Sequence, residues 1–227
     1  MNSKTTAIAI DGPAGAGKST IARRLAEKMG FIYVDTGALY RTVAYSVLKS
    51  AVDPTDVAAV TAHIKGISVD IKYKGDEQRV LLNGEDVSDF IRTPEVSMTA
   101  SKTSAIPEVR AFLLDLQRKL ADQNNVVMDG RDIATVVLPN AEVKIFLTAD
   151  PEVRAKRRYD ELIAKGEKVI FREVLADVIK RDEQDMNRKV APLKPSEGSV
   201  TVDTSELGLE EAIEAMFSVV KDKLELE

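Results

Sequence analysis

Cysteine is absent from this sequence of 227 residues, and histidine occurs once, at position 63. The first absence excludes disulfide scaffolds, thiolate metal sites and cysteine nucleophiles. The second excludes a metal centre built from several imidazoles. No apolar run approaches the ~20 residues of a membrane span, and residues Met1 to Thr6 lack the basic and apolar regions of a signal peptide. A cytoplasmic location with no membrane partner is therefore expected. A basic surplus is missing too: 32 Lys and Arg stand against 37 Asp and Glu, a net charge of -5. That balance argues against a general nucleic-acid binder. Arginines clustered locally still suit a small anion, because a pocket answers to nearby charges.

What is present is a globular mix, 44% hydrophobic and 30% charged, with enough apolar residues for a sizeable core. The length suggests one domain with an insertion. Ala7 to Ile10, Phe31 to Val34, Val126 to Met128, Val143 to Leu147 and Val200 to Val202 are short apolar runs. Each is followed by polar residues and a stretch of helical periodicity, the pattern of parallel strands joined by crossover helices. A five-stranded parallel sheet in an α/β fold is expected. Gly30 sits where the first helix should be capped. Val69, Ile71 and Tyr73 alternate with polar residues, and Gly75-Asp76 precedes Val80-Leu81-Leu82. This period of two predicts an antiparallel insertion over roughly Lys65 to Ile91. After it, Pro107 opens a helix with Val109, Phe112, Leu113, Leu116 and Leu120 on one face, and a last helix covers about Leu209 to Leu224. No long exposed apolar face is evident, so a monomer is expected. His63, just before the insertion, reads as a surface residue.

Gly12-Pro13-Ala14-Gly15-Ala16-Gly17-Lys18-Ser19 fits G-x-x-x-x-G-K-[ST] between a strand and a helix. Glycines let successive N–H groups turn towards phosphate oxygens, and the following helix adds the positive end of its dipole. Lys18 is placed to reach the β- and γ-phosphates, and Ser19 to ligate Mg²⁺. A nucleoside triphosphate site follows, with neither the N-K-x-D guanine motif nor the L-S-G-G-Q transporter signature. Asp129 ends an apolar strand, either as a carboxylate orienting water around Mg²⁺ or as a cap for the next turn.

Arg154, Arg157 and Arg158 share a helix face at i, i+3 and i+4, and Arg181, Asp185 and Arg188 share another at i, i+4 and i+7. Each set is either a polyphosphate ligand or an exposed ion-pair surface, with Glu152 and Glu161 as partners of the first. Arg41 and Arg131 follow strand ends, where open α/β sheets bind ligands. So many arginines near a phosphate loop suggest two phosphate-bearing substrates brought together.

Over nearly its whole length the chain resembles the bacterial cytidylate kinases, within the nucleoside monophosphate kinases. The resemblance is carried by Asp11 to Thr20, by Asp35-Thr36-Gly37-Ala38-Leu39-Tyr40-Arg41, by Asp129-Gly130-Arg131-Asp132, by Val143 to Leu147 and by Arg181 to Arg188. It implies a three-layer P-loop kinase core (about 1–35, 105–150 and 172–227), a monophosphate-binding region with the β insertion (about 36–104), and a helical lid (about 151–171). It implies transfer of the γ-phosphoryl group of ATP to CMP or dCMP. Lys18, Arg131, Arg157 and Arg188 would be the catalytic cations. ATP would meet Gly12, Pro13, Ala14, Gly15, Ala16, Gly17, Lys18, Ser19 and Thr20, with Arg154, Arg157 and Arg158 in the mobile lid. Thr36, Arg41, Arg131 and Arg188 would hold the acceptor phosphate, with Arg181 nearby; Ser101, Arg110 and Asp132 would contact cytosine, and Asp185 the ribose. Mg²⁺ would bind Ser19 directly and Asp129 through water. Thr36 stands where Ser also occurs in the family, and the hydroxyl is kept.

The chemistry agrees. A monophosphate is already an anion at neutral pH and needs no general base. It needs charge neutralisation, in-line positioning and a dry site, which arginines supply without losing their charge. A kinase for UMP or AMP on the same architecture, or a P-loop switch controlling a partner, remain the alternatives at this level.

Overall fold

The computed structural model describes residues 5–226. In chain order it contains β1 (Ala7–Asp11), α1 (Lys18–Met29), β2 (Ile32–Asp35), α2 (Thr36–Lys49), α3 (Val57–Ile64), β3 (Val69–Lys74), β4 (Glu77–Leu82) and β5 (Glu85–Asp86). There follow α4 (Pro94–Thr103), α5 (Pro107–Gln123), β6 (Val126–Gly130), a π-helical turn (Ile133–Val137), β7 (Val143–Thr148), α6 (Pro151–Ala164), α7 (Phe171–Asn187), β8 (Val200–Asp203) and α8 (Leu209–Leu224). The strands form a five-stranded sheet in the order β2-β6-β1-β7-β8 and a three-stranded sheet in the order β3-β4-β5. The expected α/β class, with five parallel strands and a separate antiparallel insertion, is borne out. Among the described residues no helix is long and apolar enough to cross a membrane. The chain divides into two compact units, one of residues 32–126 and one of residues 6–31 with 127–226.

In the second unit, every residue of β1 is buried, the pattern of a strand covered on both faces. It pairs in parallel with β7, Ile8 opposite Val143 and Asp11 opposite Phe146, and β7 continues to β8 with Ile145 opposite Val200. Helix α1 stops at Gly30, whose φ of 66° lets its N–H turn back onto the Ala26 and Glu27 carbonyls. Helix α8 packs on α1, with Lys28 Nζ 2.7 Å from the Glu214 carboxylate and 3.9 Å over the Phe217 ring. Helices α6 and α7 bury Ala155, Leu162, Val174 and Val178 between them.

In the other unit, β2 runs directly into α2, and Asp35 caps that helix by accepting from the Ala38 N–H at 2.9 Å. Strands β3 and β4 pair from Val69 opposite Leu82 to Lys74 opposite Glu77, around the expected Gly75-Asp76 turn. The insertion has a third strand that the alternation did not predict. Asn83 and Gly84 both have positive φ, 52° and 85°, as a type I′ hairpin turn requires, and they return the chain as β5. Arg79 fastens it, 2.8 Å from Asp86 and 2.8 Å from Asp89. The helical stretch after the insertion is two helices, each opened by a proline, Pro94 and Pro107. His63 is half-buried rather than a plain surface residue, its Nε2 2.8 Å from Ser46 Oγ.

Candidate functional site

The phosphate loop begins where β1 ends. A Cβ on Gly12 would lie 1.9 Å from the Leu147 carbonyl oxygen, so the end of β7 closes the loop too tightly for any side chain. Lys18 is buried, and its ammonium donates to the Pro13 carbonyl at 2.6 Å. Burial and the neighbouring Arg131 charge lower its pKa well below the usual lysine value, against the pull of Asp129, Asp11 and Asp185. Ser19 Oγ donates to Asp129 Oδ2 at 3.1 Å, which joins the loop to the end of β6. A hydroxyl and a carboxylate side by side are hard oxygen donors that suit Mg²⁺. Among the described residues no group of three or more His, Cys, Asp or Glu could hold a metal ion. Phosphate and water would therefore fill most of the coordination sphere.

Arg131, just beyond β6, donates from Nε to Asp185 Oδ2 at 3.0 Å. Arg188 Nη1 lies 3.8 Å from Asp185 Oδ1, and its Nη2 lies 3.9 Å from Asp132 Oδ1. Two carboxylates and two guanidinium groups thus form one cluster. Burial pushes Asp185 up, but Arg131, Arg188 and Arg181 together hold its carboxyl below the ordinary range. Helical spacing placed Arg188 on α7, whereas that helix ends at Asn187 and Arg188 is extended, with ψ 142°. Its Nε donates to the Ala191 carbonyl, which aims the guanidinium back at Asp185 and Asp132.

The three arginines of α6 do not act alike. Arg154 is buried and donates to the Ala149 and Ala14 carbonyls and to both oxygens of Asp182. Arg157 donates to the Thr204 carbonyl at 2.7 Å. Arg158 pairs with Glu161 of its own helix at 2.8 Å, the exposed ion-pair alternative.

In the unit of residues 32–126, Asp35 Oδ2 accepts from Arg41 Nη2 at 2.8 Å and lies 3.5 Å from Arg92 Nη2. Burial raises the Asp35 pKa, but the two arginines and the Ala38 N–H hold it below its ordinary value. Thr36 is buried at the start of α2, at the positive end of the helix dipole. Gln78 of β4 brackets this corner, accepting from the Asp35 N–H at 2.8 Å and donating to the Asp35 carbonyl at 3.2 Å. Tyr73 of β3 donates to the Tyr33 carbonyl at 2.9 Å. The insertion is therefore tied by side chains to the β2–α2 corner. Ser101 is half-buried on α4. Arg110 on α5 donates to the Ser104 carbonyl at 3.0 Å and lies 5.1 Å over the Tyr40 ring. Sequence reasoning missed Tyr40, Tyr73, Gln78 and Arg92 as supports. Tyr40 stood in the sequence only within the run Asp35 to Arg41, and Tyr73 only within the hairpin alternation.

It also missed Asp11. This carboxylate, buried at the end of β1, accepts from the backbone N–H groups of Ile133 and Ala134 at 2.7 and 2.8 Å. Burial pushes its pKa up to about 6, despite those two hydrogen bonds.

The model of the family described as Cytidylate kinase matches residues 8–222. The chain belongs to the cytidylate kinase family. The cytidylate kinase of Carboxydothermus hydrogenoformans is 50% identical over 217 residues, which cover 95% of this chain and 97% of that one. That of Caldicellulosiruptor bescii is 49% identical over 221 residues, covering 96% and 98%. Among solved structures, a shikimate kinase from Bacteroides thetaiotaomicron aligns over 97% of this chain and 99% of its own, with a TM-score of 0.50 at 16% identity. At that identity the likeness concerns the fold alone, that of a P-loop kinase. The expected membership of the cytidylate kinase family is thereby borne out.

Proposed function

We infer that this chain transfers the γ-phosphoryl group of ATP to CMP or dCMP, giving ADP and CDP or dCDP, and that it acts as a cytoplasmic monomer. Membership of the cytidylate kinase family over residues 8–222 carries the reading. An oxygen of the acceptor phosphate attacks the γ-phosphorus, and the bond from that phosphorus to the bridging oxygen of ADP breaks. No proton has to be removed, and the cluster of Arg131, Asp132, Asp185 and Arg188 contains no histidine or cysteine base. With no proton to remove, charge neutralisation and positioning supply the catalysis.

The roles follow from the chemistry of each group. The P-loop, residues 12–20, and Lys18 hold the triphosphate; Ser19 would hold Mg²⁺ directly and Asp129 through water, and the ion would supply neutralisation of the phosphate charge. The Ser19–Asp129 hydrogen bond supports this pairing. Arg131 and Arg188 act on the transferring and acceptor phosphates, with Arg181 beside them, and Asp185 serves the ribose while setting both guanidinium groups. Thr36 and Arg41 act on the acceptor phosphate, while Ser101, Arg110 and Asp132 read the cytosine. Arg157 and Arg158 contact ATP when the connection between α6 and α7 closes as a lid and excludes water. Arg154 acts on ATP with them, and its bond to the Ala14 carbonyl ties it to the loop that holds the triphosphate.

The test is ADP release with ATP and one acceptor at a time: CMP, dCMP, UMP, AMP, GMP and shikimate. Turnover with CMP and dCMP well above the rest is expected. Turnover confined to another acceptor, or to none, would overturn the assignment.

A further inference from the structure

Asp132 stands at the N-cap position of the π-helical turn Ile133–Val137, yet its side chain makes no capping hydrogen bond. Aspartate is among the strongest N-cap residues, because its carboxylate satisfies the orphan N–H groups of a first turn. Here the first two of these donors, the Ile133 and Ala134 N–H groups, are taken by the two oxygens of Asp11 at 2.7 and 2.8 Å. The Asp132 carboxylate lies instead 3.9 Å from Arg188. We propose that Asp11 is a positioning residue for pyrimidine recognition, capping this turn from β1 so that the Asp132 carboxylate is released from capping and held for the base.

Three observations support it. Asp11 sits on a strand buried at every position, so its oxygens are rigidly placed. Its carboxyl, with a pKa near 6, is ionised at neutral pH although buried. Finally, Asp11 hands the chain straight into Gly12, so the strand that launches the phosphate loop also sets the segment carrying Arg131 and Asp132. Without the Asp11 cap, the N-cap carboxylate of Asp132 would compete for the orphan N–H groups. Its carboxylate would then turn inward and be lost to the N4 amino group of cytosine.

The inference rests on the base-reading role of Asp132, so the experiment separates the two. Asp11→Asn, Asp132→Ala and the double variant are compared by kcat/KM for CMP and UMP and by KM for ATP. Each single change is expected to lower the CMP/UMP ratio by about tenfold, the scale of one good base-reading pair. In the Asp132→Ala background, Asp11→Asn is expected to lower it no further, and Asp11→Asn alone leaves the KM for ATP unchanged. A shifted ratio in Asp132→Ala with an unchanged ratio in Asp11→Asn overturns the positioning role alone. So does a loss of ATP and CMP affinity in equal measure, which a merely structural role would give. An unchanged ratio in Asp132→Ala refutes base reading, and the inference falls with it. Should Asp11→Asn not fold, Asp11→Ser takes its place, smaller and with one acceptor kept. In whichever variant folds, amide exchange at Ile133 and Ala134 is expected to accelerate, and unaltered exchange there overturns the capping.

Discussion

Asp182 of α7 accepts two hydrogen bonds from the Arg154 guanidinium of α6, at 3.1 and 2.5 Å, and both side chains are buried. The same guanidinium reaches the Ala14 carbonyl of the phosphate loop at 3.0 Å. A bidentate pair in this setting keeps its geometry, but removing one partner strands a buried charge. Arg154→Ala is therefore expected to cost about 3–5 kcal/mol of unfolding free energy. Asp182→Asn, which retains one acceptor, is expected to cost less. Urea unfolding of the two variants checks the order, and a near-neutral Arg154→Ala would contradict the pairing.

Because Arg154 is anchored this way, lid motion should begin beyond it. Hydrogen exchange on adding an ATP analogue with CMP is expected to slow from about Arg158 to Phe171, with little change at Arg154 and Ala155, which are buried already. Unchanged exchange over the α6–α7 connection would reduce Arg158 to the surface partner of Glu161.

Lys18 donates to the Pro13 carbonyl at 2.6 Å, an acceptor that a bound triphosphate would replace. Lys18→Ala should leave the fold intact and lower kcat on the order of 10³-fold, because the ammonium acts mainly on charge that develops during transfer. A folded variant with near-normal kcat would exclude Lys18 from the chemistry.

Asp11 has a pKa of about 6 in the folded chain, against an ordinary value of 3.8. The folded state therefore holds the proton more tightly than the unfolded state. Its contribution to stability is full below pH 3.8 and is lost as pH rises through 6. The difference corresponds to about 3 kcal/mol. Asp35 and Asp185 have the opposite sign, since their lowered pKa values cost stability only as pH falls below the ordinary range. Between pH 7.5 and 5 the wild-type chain should thus gain stability relative to Asp11→Asn. A difference between the two that does not vary with pH would show that Asp11 is not the titrating group.

Much of the site was legible because its parts are local in sequence. The phosphate loop needs glycines, a lysine and a serine within eight residues, and strand and helix flank it on either side. The capping bond from Asp35 to Ala38 spans three residues, and the Asp35–Arg41 pair six. The third strand of the insertion was legible as well, in Asn83-Gly84, although alternation alone passed over it.

The sequence by itself determined the parallel core, the phosphate loop, the insertion and the stock of arginines, since periodicity and turn chemistry act over a few neighbouring residues. Only the tertiary structure decided what each arginine meets. Helical spacing puts Arg154, Arg157 and Arg158 on one face, but that face borders a loop, a strand end and solvent, and each guanidinium takes a different partner. The Arg131–Asp185 bond joins residues 54 apart, and the Asp11–Ile133 bond residues 122 apart. Such pairs depend on which strand lies beside which, and no local pattern encodes that order. Asp11 stood in the sequence only as the first residue of the run Asp11 to Thr20, and its two backbone partners exist only once β1 and the π-helical turn have been packed together.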